Sequence, residues 1–341
     1  MIDTISLKDL NFSYYILHKK PLWNVVVISY IGVSYCGSFV LLLSSNICLN
    51  TMGCVLLSHS LTLSAYLSHE FMHGTIFEKN KWNIIGGNIM LWLNGGCYSR
   101  FKSLVKEHIF HHINKVDSVT FDLPTFINQI PKPICRVILT LEWLYFPAIS
   151  FIFQWLSITA PFWNPQRRDE RLYISIVFIM RSLLFILLGL VSPKALVLYF
   201  LAYIGMITVM RVMDAFQHTY EALTLGSQIP KHNQAYEQAN TFTCLISQRY
   251  WWLNLLMLNF GYHNAHHIMM KCPWYSLHEL DRDLSSRQKI FYLTLPEILK
   301  NYHRFRVFRI LLGQGQGVDK WGNLQIDTFY GAIGVSFLVK S

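Results

Sequence analysis

The sequence predicts an all-α integral membrane protein, with four transmembrane helices in two hairpins, interfacial helices and a histidine-rich cytoplasmic cap. Of the 341 residues, 52% are hydrophobic and only 14% are charged, whereas ordinary soluble proteins carry charge on about a quarter of their residues. Long apolar runs occur in two closely spaced pairs, and most Lys and Arg residues lie outside those pairs. Part of the protein surface must therefore face lipid.

The first pair of apolar runs covers residues 22–43 and 47–68, and neither run contains a charged residue. Each run is long enough to cross a hydrocarbon layer about 30 Å thick. Only the residues SSN, at 44–46, separate them. The pair therefore predicts a helical hairpin that leaves one side of the membrane and returns to it.

The second pair covers residues 172–191 and 195–213, separated by the residues SPK. Arg181 interrupts the first of these runs and should face protein or extend to the membrane interface, because a charge in lipid is unfavourable. Between the two hairpins, the run at 84–93 is too short to span. The run at 137–163 contains a glutamate and two prolines. Both predict interfacial or re-entrant helices.

The distribution of basic residues predicts the orientation. The tips of the hairpins carry only Lys194, whereas residues 69–171 contain 11 Lys and Arg and the residues after Asp214 contain 12. Basic loops stay in the cytoplasm, so the N-terminus, the middle segment and the C-terminal third should lie there. The net charge of +10 accompanies no nucleic-acid-binding motif, so a membrane with an anionic face is the expected partner.

One membrane domain is expected over residues 1–341, with its core at about 22–290, because no linker or internal repeat divides the chain. The first 20 residues contain Asp3, Lys8 and Asp9 and no continuous apolar stretch, which argues against a cleavable signal peptide. The seven cysteines form no CxxC pair. They therefore indicate neither a disulfide framework nor a thiolate metal site.

Three histidine clusters lie in segments that are predicted to be cytoplasmic. They are HEFMH with His69 and His73, HIFHH with His108, His111 and His112, and HNAHH with His263, His266 and His267. On a helix, residues separated by three or four positions share one face, so each cluster can direct its imidazoles at a common point. His218, at the cytoplasmic end of the fourth span, adds a ninth imidazole on the same side. Together these side chains can hold more than one ion, and nitrogen ligands favour Fe, Zn, Cu or Ni over Mg or Ca.

Two other kinds of site fit parts of this pattern. HEFMH also matches H-E-x-x-H, in which two histidines hold zinc and the glutamate is the general base of a metalloprotease. A membrane zinc protease needs one further ligand and leaves the other two clusters without a role. A metal transporter should carry its ligands near the middle of the membrane, whereas these histidines lie at the ends of the spans.

The three clusters, the two hairpins and the late histidine resemble the membrane fatty acid desaturase and hydroxylase superfamily over about residues 22–290. The resemblance implies a cytosolic cap holding a di-metal site with two iron ions, and O2-dependent oxidation of a C–H bond on a lipid chain. The iron ligands that it implies are His69, His73, His108, His111, His112, His218, His263, His266 and His267. The family has N-x-x-x-H at the late site, where this chain has Asp214. Asp214 is expected to bind iron directly or to orient His218.

The resemblance implies a desaturase that introduces a double bond into an acyl chain, or a hydroxylase or ketolase acting on an alkane, carotenoid or sphingoid lipid. The third cluster begins with His263, unlike that of the front-end desaturases, and no His-Pro-Gly-Gly motif of a fused haem domain occurs. Electrons are therefore expected from a separate ferredoxin or b-type cytochrome. Glu70, Asp117 and Asp122 flank the first two clusters and could orient imidazoles.

Overall fold

The computed structural model describes residues 11–119, 123–224 and 227–333, and helices dominate this part of the chain. The helices are α1 (Phe12–Leu17), α2 (Pro21–Leu43), α3 (Ile47–His73), α4 (Asn80–Asn94), α5 (Phe101–Asn114), α6 (Leu123–Gln129), α7 (Lys132–Trp143), α8 (Ala148–Trp163), α9 (Arg171–Val191), α10 (Pro193–Asp214), α11 (Gln234–Ala239), α12 (His263–Ile268), α13 (Leu277–Ser285), α14 (Leu295–Arg304) and α15 (Phe308–Leu312). Strand β1 (Asp117–Val119) pairs in parallel with β2 (Ala222–Thr224), and β3 (Thr243–Leu245) with β4 (Tyr292–Thr294). Asp122 lies outside the described residues.

The four predicted spans are confirmed as α2, α3, α9 and α10. Each is long and apolar enough to cross a membrane. The difference lies at the end of α3, which continues beyond the apolar run, through the HEFMH cluster to His73. Gly74 then ends the helix in a left-handed conformation, with φ of 66°, which glycine adopts without strain. The first histidine cluster is therefore the last turn of a membrane helix.

Helices α3 and α10 pack side by side and run in the same direction. Near their starts, the thiol of Cys54 lies 3.6 Å from the carbonyl oxygen of Leu198. Near their ends, the hydroxyl of Tyr66 donates to Oδ1 of Asp214 at 3.1 Å. Because the two helices are parallel, the HEFMH cluster and the segment leading to His218 emerge at the same side of the bundle.

Two buried arginines bind the interfacial helices to the spans. Arg181, in α9, donates to the carbonyl oxygen of Trp92 in α4 at 2.8 Å and to the hydroxyl of Tyr199 in α10 at 3.2 Å. It therefore faces protein, as the sequence predicts. Arg211, in α10, lies 2.9 Å from the carboxylate of Glu142 in α7, and both side chains are buried. Charges removed from water need such partners.

Both runs that were predicted to be interfacial or re-entrant form helices, the first in α4 and the second in α7 and α8. Helices α7 and α8 form a pair bent by 117° rather than one straight span. The Glu142 carboxylate stabilises the bend, because its Oε1 accepts a hydrogen bond from the backbone N–H of Ile149 at 2.7 Å. This pair packs around Ile138 and Ile149 and forms one wall of the space below the cap.

Helix α4 fixes the relative position of the first two histidine clusters. A Cβ atom added at Gly86 would lie 2.5 Å from the ring of Phe71, inside the HEFMH cluster. A Cβ atom added at Gly87 would lie 2.1 Å from the ring of Phe101, the first residue of α5. Only glycine permits this close approach, so α4 packs directly against both histidine-bearing helices.

We expect Gly87→Leu to displace α5 and to lower the melting temperature, because overpacking a core costs about 1–3 kcal/mol. The matched control is Gly37→Leu, in α2, where a new Cβ atom meets nothing within 4 Å. Thermal unfolding in detergent and the metal-to-protein ratio would be measured for both variants. If both variants have the same melting temperature and the same metal-to-protein ratio, the contact of α4 with α5 does not determine the position of the second histidine cluster.

Candidate metal centre

Nine imidazoles meet where α3, α5, α12 and the segment after α10 come together. A first group contains one ligand atom from each of five buried histidines, all within 4.8 Å of one another. Its members are His69, His73, His108, His112 and His266. Within the group, Nε2 of His73 lies 2.8 Å from Nε2 of His108, and Nε2 of His266 lies 3.2 Å from Nε2 of His112. Three different helices therefore direct nitrogen atoms at one point.

A second group lies beside the first. It contains His111, His218 and His267, whose ligand atoms also lie within 4.8 Å of one another. His263 joins them, because its Nε2 lies 2.7 Å from Nε2 of His218. The two groups are adjacent, since the rings of His112 and His267 are only 4.2 Å apart.

The second and third clusters are divided between the two groups, although the sequence pattern suggested that each cluster converges on a single point. On a helix, residues i and i+4 differ by about 40° in direction, whereas residues i+3 and i+4 differ by about 100°. His108 and His112 are an i, i+4 pair and share the first group, while His111 turns towards the second. In α12 the pair His263 and His267 belongs to the second group, and His266 reaches the first. The same HxxHH spacing, on α5 and again on α12, therefore supplies imidazoles to two adjacent groups.

His218 is positioned by a loop instead of a helix. The residue forms an isolated antiparallel bridge with Thr241, and the N–H of Phe242 donates to the carbonyl oxygen of Gln217 at 2.9 Å. Helix α12 is brought to the same place by the contact of Gly261 with Cys244, whose carbonyl oxygen would lie 2.0 Å from an added Cβ atom. Such a long-range arrangement leaves no local pattern in the sequence.

The spacing of the nitrogen atoms fits bound metal ions. Facing Nε2 atoms in the two groups lie 2.7–3.3 Å apart. Two nitrogen atoms at right angles on one metal ion, each about 2.1 Å away from it, are about 3.0 Å apart. Nε2 of His267 is buried and has no hydrogen-bond partner among the described residues, and a ligand to a metal has that property. The residues present therefore fit a pair of metal ions.

Carboxylates behind the imidazoles fix which nitrogen faces the centre. Nδ1 of His111 lies 3.0 Å from Oδ1 of Asp117, and Nδ1 of His69 lies 3.3 Å from Oε1 of Glu70. Nδ1 of His267 lies 3.4 Å from Oε1 of Glu237. An ionised carboxylate only accepts hydrogen bonds, so Asp117 and Glu237 favour the tautomers of His111 and His267 in which Nδ1 carries the proton and Nε2 keeps its lone pair.

Sequence reasoning named Glu70 and Asp117 but missed Glu237 and Tyr220. Glu237 precedes His267 by 30 residues, so nothing in the local pattern indicates the contact. The hydroxyl of Tyr220 lies 3.4 Å from Nδ1 of the same histidine. Asn264, inside the third cluster, has a local role: its Nδ2 donates to the carbonyl oxygen of Thr241 at 3.5 Å, which holds α12 against the loop of His218.

Asp214 lies beside the centre without joining either group. Its Oδ1 accepts hydrogen bonds from the hydroxyl of Tyr66 at 3.1 Å and from Nε2 of Gln217 at 3.4 Å. Oδ2 has no partner among the described residues, and neither group of converging ligand atoms includes the carboxylate. Its hydrogen bonds connect α10 to α3 and do not reach His218.

Six of the imidazoles outside the spans have a lowered pKa, which favours their neutral form. Burial, followed by repulsion from neighbouring imidazoles, lowers the pKa of each of the following histidines. They are His108, His112, His218, His263 and His267. The same two causes lower the pKa of His266 to about 3. Since metal ligation requires neutral imidazole, the electrostatics of the site favour binding at neutral pH.

A cavity of about 360 Å³ opens beside the centre. Its lining includes His108, His111, His218 and His263, so it contacts chiefly the second group. Apolar side chains such as Phe153, Phe260, Leu123 and Ile333 form much of the remaining wall. The volume and the lining are typical of a site for a small or slender apolar ligand.

The family model described as fatty acid desaturase matches residues 47–296. This chain belongs to the fatty acid desaturase family. The matched region includes all three histidine clusters and His218, and it confirms the resemblance inferred from them. Family membership places the protein among oxidoreductases that modify lipids in membranes. A comparison of this chain with curated proteins found no significant match.

We expect acid to release metal from this desaturase-family protein. The folded protein disfavours protonation of the six histidines whose pKa is lowered, whereas an unfolded chain binds protons once the pH falls below about 6.5. Stability and metal binding are therefore complete above that pH and decrease as it falls towards the lowered pKa values. The metal-to-protein ratio after dialysis between pH 8 and pH 4.5 tests this. Full retention at pH 4.5 would contradict it.

Proposed function

We propose that this protein is an O2-dependent di-iron desaturase that introduces a double bond into the acyl chain of a lipid. One observation carries the proposal: two adjacent groups of buried imidazoles lie beside a largely apolar cavity, which His108 of the first group and His111, His218 and His263 of the second group line. Membership of the desaturase family supports it. A site made of nitrogen ligands without thiolates suits iron, and an apolar cavity suits a hydrocarbon chain.

The nine histidines are the proposed iron ligands. The first iron would be held by His69, His73, His108, His112 and His266, and the second by His111, His218, His263 and His267. When bound, two reduced irons supply the electrons and the reactive site with which O2 removes hydrogen from a methylene group. Asp117 and Glu237 keep two of the second group's ligands in the tautomer that presents Nε2, and such partners raise ligand affinity.

The remaining residues of the site position the substrate and exclude water. The aromatic rings of Phe153 and Phe260 line the same cavity as the histidines, so a hydrocarbon chain in it lies close to the second group. The ring of Phe260 also lies 4.8 Å from that of His69 and 5.4 Å from that of His263, so it contacts one histidine of each group. Holding one carbon beside the centre in an apolar space removes the entropic cost of the encounter and protects the reaction from water.

The reaction needs two electrons from a partner. Desaturation converts CH2–CH2, O2, two electrons and two protons into CH=CH and two molecules of water. We propose that a separate ferredoxin or b-type cytochrome supplies those electrons at the cap. The 11 Lys and Arg of residues 69–171 and the 12 after Asp214 support a cytoplasmic orientation of the cap and a positive surface for an acidic carrier.

A hydroxylase or ketolase of the same superfamily is the second candidate function. Insertion of one oxygen atom uses the same metal centre, O2 and electrons, but leaves an alcohol and one molecule of water. Asp214 keeps this alternative open, because it stands where the family's acyl desaturases have asparagine and it lines the cavity beside the second group. The zinc protease alternative has less support, because both histidines of HEFMH converge with three further imidazoles that a protease of that type does not need.

Metal analysis and one histidine substitution test the di-iron proposal. We expect the purified protein to contain about two iron ions per chain, and His111→Ala to abolish oxidation by removing a ligand of the second group. The matched control is His18→Ala, which changes an exposed histidine outside both groups. Stoichiometric zinc in place of iron, oxidation by the wild type in the absence of O2, or full activity of the His111→Ala variant would each overturn the proposal.

Lipid profiling separates the two candidate functions. Cells that express the chain together with an electron donor should accumulate acyl chains with a new double bond, two mass units lighter than the precursor. A hydroxylase would instead add one oxygen atom, and a ketolase would add one oxygen atom and remove two hydrogen atoms. If the cells accumulate hydroxylated or keto products and no new double bonds, the second candidate function replaces the desaturase proposal.

A further inference from the structure

The C-terminal part of the chain lies beyond the family match but forms a wall of the cavity beside the histidines. The match ends at residue 296, whereas the cavity is also lined by Arg309, Gly313, Gln314, Gly331, Ala332 and Ile333. We call residues 313–333 the C-terminal strap. The family-matched region alone therefore leaves this side of the cavity incomplete.

The strap is anchored directly to the loop that carries His218. The backbone N–H of Ala332 donates to the carbonyl oxygen of Ala215 at 2.6 Å, three residues before that histidine. Gly331 has φ of 87°, and an added Cβ atom would lie 2.9 Å from the same oxygen. The ring of Phe329 is fully buried and lies 5.1 Å from that of Phe216. These contacts hold the strap in one position relative to the centre.

The other side of the strap packs against the interfacial helices. Ile333 is buried and belongs to the same apolar cluster as Ile127 in α6, Ile149 in α8 and Ile310 in α15. The strap therefore connects the wall that carries the second histidine group with the wall formed by α6 and α8. A segment fixed at both walls closes the cavity between them.

The strap marks the closed end of the cavity. Ala222, at another point of the lining, is exposed and Asp117 is half-buried, whereas Gly331 and Ile333 are buried and Ala332, between them, is half-buried. A hydrocarbon chain that enters from the exposed side therefore ends against Ala332 and Ile333. Both side chains are apolar, so they suit the end of a hydrocarbon chain better than a charged head group.

We propose that the C-terminal strap determines which lengths of hydrocarbon chain react, with Ala332 and Ile333 as the stop for the chain. The proposal rests on the proposed oxidation of an acyl chain in this cavity. The distance between the stop and the second histidine group decides which carbon lies beside the centre. A longer or shorter chain places a different carbon there, and the reactive geometry is lost.

Two substitutions with opposite effects test the strap. Ala332→Leu adds three carbon atoms at the closed end and should shift the preferred substrate to shorter chains. Ile333→Ala removes three and should shift it to longer chains. A hydrophobic site discriminates one methylene by about 10-fold or more, so we expect the ratio of kcat/KM for two lengths to change at least about tenfold, in opposite directions.

The measurement is a competition assay with a mixture of acyl substrates of graded length, using the full chain in membranes with its electron donor. Lys320→Leu is the matched control, because it changes an exposed residue of the strap that does not line the cavity. We expect this control to keep the wild-type length profile. Iron content, measured for every variant, shows whether the metal centre has been preserved.

Three outcomes are distinguishable. Opposite shifts of the length profile in the two variants support the strap as the stop. Unchanged profiles, or an equal loss of rate at every chain length in both variants, overturn that role while the wild type still oxidises acyl chains. A wild-type protein that holds iron but oxidises no acyl chain contradicts the proposed function itself.

Discussion

The structure depends on bringing the nitrogen lone pairs of buried imidazoles together. Facing Nε2 atoms lie 2.7–3.3 Å apart, and two lone pairs at that distance repel unless a proton or a metal ion lies between them. Burial lowers the pKa of six imidazoles outside the spans, that of His266 to about 3. Cations in the two groups would remove this repulsion, and metal binding would then contribute to the stability of the histidine-bearing part of the protein.

The packing of the membrane helices brings the histidine clusters together. Since α3 and α10 run in parallel, the HEFMH cluster and the segment of His218 leave the bundle at one level. Helix α4 approaches α5 closely enough that Gly87 cannot carry a side chain, which sets the second cluster against the first. The ion pair of Arg211 with Glu142 then joins α10 to the bent pair α7 and α8. Polar groups in the interior thus hold the walls of the cavity.

The two groups of histidines differ in their surroundings. The first contains five imidazoles, of which only His108 lines the cavity, whereas His111, His218 and His263 of the second group line it. The second group also has the carboxylates of Asp117 and Glu237 behind its ligands. The proposed substrate therefore meets the more open group. The C-terminal strap completes this side of the molecule from residues that the family match does not include.

The sequence alone determined the spans, the histidine clusters and the family. Runs without charge specify membrane helices because lipid excludes charged groups, and the spacing of the clusters is local to single helices. It also indicated Glu70 and Asp117, which lie close in sequence to the histidines that they contact.

Only the tertiary structure decided how the clusters are shared between two groups, that Glu237 and Tyr220 contact His267, and that residues of the C-terminal strap line the cavity. These features depend on contacts between residues far apart in sequence, such as Ala332 with Ala215. Hydropathy and spacing describe one helix at a time, whereas packing sets the distances between helices.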